Sequence, residues 1–376
     1  MDTSKLDRFL DEMPLRGLPC CDLSVTRDGR EVYRRSVGFS DLDMTRPVGR
    51  DTLYWIYSAS KVLTCTAALR LVEEGRLKLT DRVSDYLPAF AELTVRQKDG
   101  SIVPATEPLR VLHLFTMTGG LDYDLNAPAI LDAAAQPNAS TFSVCSAMAK
   151  KPLRFEPGTR YCYSLCHDVL AAITEVITGM RFSDYMRELF FEPLGMTDTG
   201  FHPTAAQTAR MAQPFEYNNA DGSIRPIPNE NVFILCPEYD SGGAGLFTSV
   251  DDYMKVVTAL ACGGTTEDGY RILKPETIAE MEVNRLCPAA WKDLVVGRLY
   301  GYGFGLCCRV HVDPTRSLSR SSVGEFGWDG AQAAFSMVDR KTRTALYFAT
   351  QVANCGYAYT TLHPAIRNLV FEMLEG

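Results

Sequence analysis

The chain has little of what marks several classes of protein. It contains no apolar run approaching the roughly eighteen residues that span a bilayer. It also has no block of five or six like charges of the kind found in tails and docking patches. An acidic excess gives a formal net charge of −8, whereas nucleic-acid binding favours a basic surface. We therefore expect neither a membrane nor a nucleic-acid partner, and composition leaves the oligomeric state open.

Cysteine pairs of the type found at zinc sites are also missing. The 12 cysteines include no C-x-x-C, and most, such as Cys65 and Cys307, lie in apolar stretches as small hydrophobic residues do. Residues 1–8 read as an amphipathic helix broken by acids, whereas a secretory signal has a basic start and an apolar core. These features predict a cytoplasmic protein without a metal or an organic cofactor.

What the chain does have is β-structure near both ends. Alternating residues over 22–37 are interrupted by Asp28-Gly29, a strong signal for a tight hairpin turn. The segments 333–338 and 344–350 predict a second hairpin around a polar turn. The other elements that we predict are a helix over 3–13, helices over Val169–Ile177 and Phe182–Phe191, a strand over Gly303–Val310 and a helix near 361–374.

Helical periodicity dominates the middle of the chain, and we find no internal repeat. Hairpins at both ends with helices between them indicate an α+β protein, with an antiparallel sheet of five or more strands flanked by helices. We predict one lobe from residues 1–75 plus 236–376 and an inserted, mainly helical lobe over 76–235. The active site would lie in the cleft between the two lobes.

Ser58 and Lys61 form the only Ser-x-x-Lys in the chain, at the start of an apolar helix that runs to about Glu74. A spacing of three residues places both side chains on one helix face. A serine needs a nearby base to become a nucleophile, and a lysine can serve as that base when burial lowers its pKa. The alternative is that Ser58 caps the helix and Lys61 is a surface lysine.

Other schemes for a nucleophile find less support. The chain has no G-x-S-x-G elbow, and its five histidines lie outside any H-E-x-x-H pattern. The glycines of 301–305 lack the helix that a phosphate-binding loop requires, so a bent strand is the better interpretation.

Several segments together resemble the serine β-lactamase and penicillin-binding-protein superfamily, in the branch around class C β-lactamases, D,D-peptidases and family VIII carboxylesterases. They span about nine-tenths of the chain and follow the family's order: Asp28-Gly29 to Gly38-Phe39-Ser40-Asp41, Ser58–Lys61, Leu71–Leu77 with Asp81, Leu114–Leu121, Pro157-Gly158 with Tyr163-Ser164, Pro193–Met196, and Ser241-Gly242-Gly243 with Gly245-Leu246. The resemblance implies the β-lactamase/transpeptidase-like fold and acyl transfer through a serine.

Roles follow from the resemblance position by position. Ser58 matches the acylated nucleophile, Lys61 its base partner, and Tyr163 the tyrosine that bridges base and leaving group. The backbone N–H groups of Ser58 and Ala331 would form the oxyanion hole, and Gly330 would let a substrate approach the strand closely. Tyr217-Asn218-Asn219 matches the family's Tyr-x-Asn more literally but lacks its flanking pattern, so we interpret it as a decoy.

Departures from the family pattern bear on the substrate. Leu165 replaces an amide that helps bind a β-lactam or peptide side chain. Trp328 and Asp329 replace the basic and hydroxyl residues that face a substrate carboxylate, and a carboxylate at Asp329 would repel an anion if it pointed into the cleft. Trp328, Asp329, Gly330 and Leu165 are our candidate substrate contacts. A tryptophan here resembles family VIII carboxylesterases.

The sequence thus predicts a serine hydrolase for a small ester or amide. In this scheme Lys61 takes the proton of Ser58, Tyr163 protonates the leaving group, and water resolves the acyl-enzyme. An acyltransferase using an alcohol or amine acceptor is the first alternative, and a β-lactamase or D-amino-acid peptidase is the second. A catalytically inactive binding protein has the least support.

Overall fold

A computed structural model describes residues 1–294 and 299–376. Seven of its strands form one sheet in the order β2-β1-β13-β12-β11-β10-β9, with every neighbouring pair antiparallel. The strands are β1 (Cys20–Arg27), β2 (Arg30–Gly38), β3 (Tyr54–Trp55), β4 (Thr94–Arg96), β5 (Ile102–Pro104), β6 (Phe215–Tyr217), β7 (Ile224–Pro226), β8 (Phe247–Thr248), β9 (Tyr302–Gly305), β10 (Cys308–His311), β11 (Phe326–Gly327), β12 (Phe335–Asp339), β13 (Thr344–Ala349) and β14 (Val352–Ala353).

Thirteen α-helices lie in the described part of the chain. They are α1 (Ser4–Asp11), α2 (Ser60–Glu73), α3 (Val111–Phe115), α4 (Pro128–Ala134), α5 (Thr141–Ala147), α6 (Cys166–Thr178), α7 (Phe182–Met186), α8 (Ala205–Thr208), α9 (Val250–Ala261), α10 (Pro275–Met281), α11 (Pro288–Leu294), α12 (Pro314–Ser317) and α13 (His363–Glu375). No helix in residues 1–294 or 299–376 combines the length and apolar character required to span a membrane.

Segments from the two ends of the chain pair in one sheet, as the sequence predicts. β1 pairs with β13 from Asp22 opposite Ala349 to Arg27 opposite Thr344. The turn between β1 and β2 has φ of +52° at Asp28 and +82° at Gly29, the conformation that a two-residue hairpin needs. The predicted α+β fold with an antiparallel sheet is therefore confirmed.

Both faces of the sheet are buried. Leu23 and Val25 on β1 and Phe348 on β13 face α1 and α13, while alternate residues such as Tyr347 face the larger core around α9. This period of two follows from the pleat of a strand. The first ten residues of α2, Ser60–Leu69, are buried on every side, so a polar residue in this part of the helix is enclosed by protein.

The strand predicted over Gly303–Val310 is wrong in its extent. The chain reverses at residues 306–307, and two strands, β9 and β10, replace the one predicted. Cys308 adopts a φ of +64°, a turn conformation that is uncommon for cysteine and so was not predicted from the sequence. The division into lobes at residues 75 and 235 stays a prediction.

Candidate active site

Ser58 lies in a tight turn, Tyr57–Ala59, directly before α2. Tyr57 has a φ of +46°, which is unfavourable for a residue with a side chain and recurs at functional sites. Its hydroxyl donates to the Glu230 carbonyl at 3.1 Å and accepts from Gln332 at 3.2 Å, and these bonds hold the strained turn. Ser58 is 8% exposed, so its hydroxyl is enclosed yet reachable.

Lys61 is fully buried one helical turn from Ser58. Its Nζ donates to Ser58 Oγ at 3.2 Å, to the Tyr123 hydroxyl at 3.2 Å and to the Gly243 carbonyl at 2.7 Å. An ammonium has three N–H donors, and here each has an acceptor. The predicted proximity of Ser58 and Lys61 is present, and the surface-lysine alternative is excluded.

The pKa of Lys61 moves in the direction opposite to the one expected from burial. Burial by itself lowers this pKa, but the oxygens of Tyr123 and Tyr163 oppose it. The Asp168 carboxylate also raises the pKa of Lys61, and the net shift is upward. This net direction differs from the expected depression of the pKa, and the role of Lys61 as the base partner of Ser58 stays a prediction.

Tyr163 lies in the loop before α6 and is held by aromatic neighbours. The indole N–H of Trp328 donates to its hydroxyl at 3.0 Å. The Tyr163 ring stacks on Tyr123 with centroids 5.3 Å apart, and Lys61 Nζ lies 4.7 Å from the Tyr163 ring centroid. Ser58, Lys61 and Tyr163 are thus brought together as predicted, and Trp328 lies against Tyr163.

Gly330 brings the segment 327–331 close to the nucleophile. A Cβ at this position would lie 2.3 Å from the Ile56 carbonyl oxygen, so only glycine permits this approach. The backbone of Ile56 fills the space that a side chain at residue 330 would need, and the approach of a substrate to this strand stays a prediction. Ala331 follows and is exposed, and its N–H as an oxyanion donor stays a prediction.

Asp329 does not present a free negative charge to the site. Its carboxylate accepts from Arg309 Nη1 at 3.0 Å and lies 3.7 Å from His363 Nδ1, and the residue is 6% exposed. Arg309 also bonds Glu325 at 3.0 Å and the Ser336 carbonyl at 3.1 Å. The repulsion of an anion was expected only for a carboxylate that points into the cleft, whereas this one is paired with a buried guanidinium. Contact of Asp329 with a substrate stays a prediction.

Replacing Arg309 with methionine is expected to destabilise the fold. The change leaves the carboxylates of Glu325 and Asp329 buried without their shared cation, and breaking a buried pair in this way costs about 3–5 kcal/mol. Urea denaturation measures the loss. Arg320→Met, which removes an exposed pair with Glu375, is the matched control and should change stability little. Equal effects of the two substitutions would contradict the structural role of Arg309.

Two further residues from the sequence lie apart from the catalytic group. Leu165 is 2% exposed within the large core, and its contact with a substrate stays a prediction. Tyr217, on β6, packs into the separate core formed with α1 and α13. The interpretation of Tyr217 as a decoy agrees with this position.

One group of possible metal ligands occurs among the described residues: Cys65, His167 and Cys308, whose donor atoms lie within 4.8 Å of one another. All three are fully buried, and His167 Nε2 is 3.2 Å from the Phe115 carbonyl. Burial raises the pKa of the Cys65 thiol well above its ordinary value, so the thiol packs here as a protonated, weakly polar group. The absence of a metal, expected from the sequence, stays a prediction.

Tyr123 and the Gly243 carbonyl are the partners of Lys61 that sequence reasoning missed. Both belong to or adjoin family-like segments, Leu114–Leu121 and Ser241-Gly242-Gly243, and the order of those segments was the available signal. Nothing in their spacing from Lys61, 62 and 182 residues, indicates a contact.

A serine at a helix start, bonded to a buried lysine and next to a tyrosine held by an indole, defines a serine-hydrolase-type enzyme. The family model described as Beta-lactamase matches residues 6–359. The chain belongs to this family, in agreement with the resemblance seen in its sequence.

The relatives include esterases and acyltransferases. The chain is 31% identical to the esterase EstB of Burkholderia gladioli over 98% of its own length and 95% of that protein. It is 29% identical to the acyltransferase calJ of Penicillium decumbens, with 93% and 86% covered. Among solved structures, EstCE1, described as a hydrolase with promiscuous acyltransferase activity, superposes with a TM-score of 0.82 at 25% identity and 98% coverage of both chains.

Proposed function

We propose that the protein is a carboxylesterase-like serine hydrolase that forms an acyl-enzyme on Ser58 with a small, uncharged ester or amide. The contact that carries the proposal is the 3.2 Å bond between Ser58 Oγ and the buried Lys61 Nζ. The similarity to an esterase over nearly the full length supports it.

Proton transfer is the work of Lys61 and Tyr163 as a pair. Two ionisable groups this close share their protons, so the reactive form is the pair that has lost one of its two protons. The pair takes the Ser58 proton as Oγ attacks the carbonyl carbon. It passes a proton to the leaving group as the bond between the carbonyl carbon and the leaving group breaks. Water then repeats the sequence on the acyl-enzyme.

The neighbourhood of Tyr163 favours an uncharged substrate. Trp328 occupies the place where the family's basic residue meets a substrate carboxylate, and its N–H is already bonded to Tyr163. The fully buried ring of Phe304 packs against Trp328, and the half-buried rings of Phe233 and Tyr123 extend the aromatic surface beside Tyr163. An apolar acyl or alcohol group would pack against these rings, because aromatic surfaces gain most from apolar contact.

Acyl transfer to an alcohol or amine is the second candidate function. The similarity to an acyltransferase and to a hydrolase with promiscuous acyltransferase activity favours it over the remaining alternatives. Both activities share the acyl-enzyme, and the nature of the acceptor alone distinguishes them.

A substrate panel tests the proposal. We expect kcat/KM for short-chain p-nitrophenyl esters to exceed that for a chromogenic cephalosporin by at least about 100-fold, because the cephalosporin carboxylate meets an indole where the family offers a cation. Added alcohols and amines, with products identified by mass spectrometry, separate hydrolysis from transfer. Faster turnover of the cephalosporin would favour the β-lactamase alternative, and no turnover with no adduct on Ser58 would favour the inactive binding protein.

A further inference from the structure

Asp168, on α6, is a buried carboxylate that the reaction described above does not use. It is fully buried beside α2, which carries Lys61. Its Oδ1 accepts hydrogen bonds from the Tyr239 hydroxyl at 2.9 Å, the Ser241 hydroxyl at 2.5 Å and the Gly243 N–H at 3.3 Å. Within residues 1–294 and 299–376, its Oδ2 has no hydrogen-bond partner. A carboxylate oxygen left unbonded in the interior requires a reason.

Gly243 links Asp168 to Lys61. Its N–H bonds the carboxylate, and its carbonyl accepts from Lys61 Nζ at 2.7 Å. A Cβ on Gly243 would lie 2.5 Å from Asp168 Oδ2 and 3.3 Å from Lys61 Nζ. The unbonded carboxylate oxygen and the lysine nitrogen therefore face the same small volume, which is free because residue 243 is glycine.

Lys61 needs a negative charge nearby, since its three acceptors call for the ammonium form and an uncompensated buried cation is costly. Three other titratable groups near it, His167, Tyr123 and Cys65, are neutral at ordinary pH. Burial lowers the pKa of His167 to about 3, and burial raises the pKa of Tyr123 and of Cys65. Among the described residues that surround Lys61, Asp168 is the one that carries a carboxylate, and it can supply this negative charge.

We propose that Asp168 is a positioning residue of the acyl-transfer site, whose charge keeps Lys61 an ammonium and which, through Gly243, holds the carbonyl that orients it. This inference rests on the proposed function. With Lys61 held as an ammonium, the member of the pair that accepts the Ser58 proton is the Tyr163 oxygen. It takes this proton as the bond from Oγ to the carbonyl carbon forms. It then gives the proton to the leaving group as the bond from the carbonyl carbon to the leaving group breaks, while Lys61 stays charged.

The pH dependence of ester turnover tests the charge of Asp168. A negative neighbour stabilises the more protonated form of the Lys61–Tyr163 pair, so removing it makes the pair lose its proton at lower pH. We expect Asp168→Asn to move the acid limb of kcat/KM down by about one pH unit or more. Asp168→Glu keeps the charge and should leave the limb in place with a lower kcat.

Asp22→Asn is the matched control. Asp22 is also a fully buried carboxylate, but it pairs with Arg34 in the sheet. The acid limb of kcat/KM should therefore stay in place in this variant. An acid limb that stays in place in Asp168→Asn, while Ser58 of the wild type is acylated, overturns the inference and leaves the proposed function intact. If the acid limb moves as far in Asp168→Glu as in Asp168→Asn, the charge of residue 168 is not what sets it, and the inference is overturned.

A second readout needs neither activity nor a variant of Asp168. In a ¹⁵N spectrum of the lysine side chains, assigned with Lys61→Met, the wild-type Lys61 signal should keep the ammonium shift to at least about pH 10. Titration of Lys61 below that pH overturns the inference even if Asp168→Asn fails to fold. If Ser58 is never acylated, the proposed function fails, and this spectrum still decides whether Lys61 is held charged.

Discussion

Ser58→Ala is expected to abolish the acyl-enzyme and to lower ester turnover by roughly 10⁴- to 10⁶-fold, the loss typical of removing a nucleophile that acts as part of a group. The hydroxyl is the atom that bonds the substrate carbon, so no other residue replaces it. Intact-mass analysis after incubation with an activated ester measures the adduct, and a chromogenic assay measures turnover.

The matched control is Ser60→Ala, two residues further along, at the first position of α2. Ser60 is fully buried and its hydroxyl accepts from the Leu246 N–H at 3.2 Å, away from the Lys61 ammonium. We expect Ser60→Ala to retain the adduct. An adduct that survives in Ser58→Ala would place the acylated residue elsewhere and remove the basis of the proposed mechanism.

Lys61→Met is expected to reduce turnover about as strongly as loss of the nucleophile, because the members of such a group act together rather than additively. Methionine fills a similar volume without a charge, so the acceptors at Gly243 and Tyr123 lose their donor. Lys61→Arg should not restore activity, since a planar guanidinium does not reproduce three donors from one atom. Retention of wild-type kcat in Lys61→Met would contradict the assigned role.

The same substitution has an expected effect on stability. With the ammonium gone, the buried Asp168 carboxylate loses the nearby cation and the Gly243 carbonyl loses its donor, so we expect the free energy of unfolding to fall by about 1–3 kcal/mol. Adding Asp168→Asn to Lys61→Met removes the stranded charge, so the double variant should recover stability. Urea denaturation of the four proteins measures the coupling, and strictly additive losses would show that the two groups do not interact.

Local signals in the sequence predicted much of the fold. One of them, the Asp-Gly dipeptide of a hairpin turn, also occurs at two hairpins that were not predicted. Asp-Gly marks the hairpin at 28–29, and the same dipeptide lies between β4 and β5 and between β6 and β7. Those strands have three residues each, too few for alternation to stand out within a helical stretch. The mainly helical interpretation of 76–235 therefore passed over two small hairpins.

The relation between Ser58 and Lys61 was predictable because it depends only on the pitch of a helix. The protonation of Lys61 was not, because the groups that raise its pKa come from distant segments. Asp329 shows the same limit. The sequence shows that residue 329 is an acid, but whether its charge is neutralised depends on Arg309, 20 residues earlier on β10. The sequence shows which side chains can carry a charge, but tertiary packing decides which partner neutralises that charge.

The sequence by itself determined the family, the antiparallel sheet closed by both ends of the chain, and the three residues Ser58, Lys61 and Tyr163. These follow from local periodicity, turn chemistry and the order of short motifs. Only the tertiary structure decided that Tyr123, Gly243 and Asp168 surround the lysine, and that Asp329 pairs with a buried arginine. Contacts between segments tens to hundreds of residues apart are set by how helices and sheet pack, and that packing decides which charges meet in the interior.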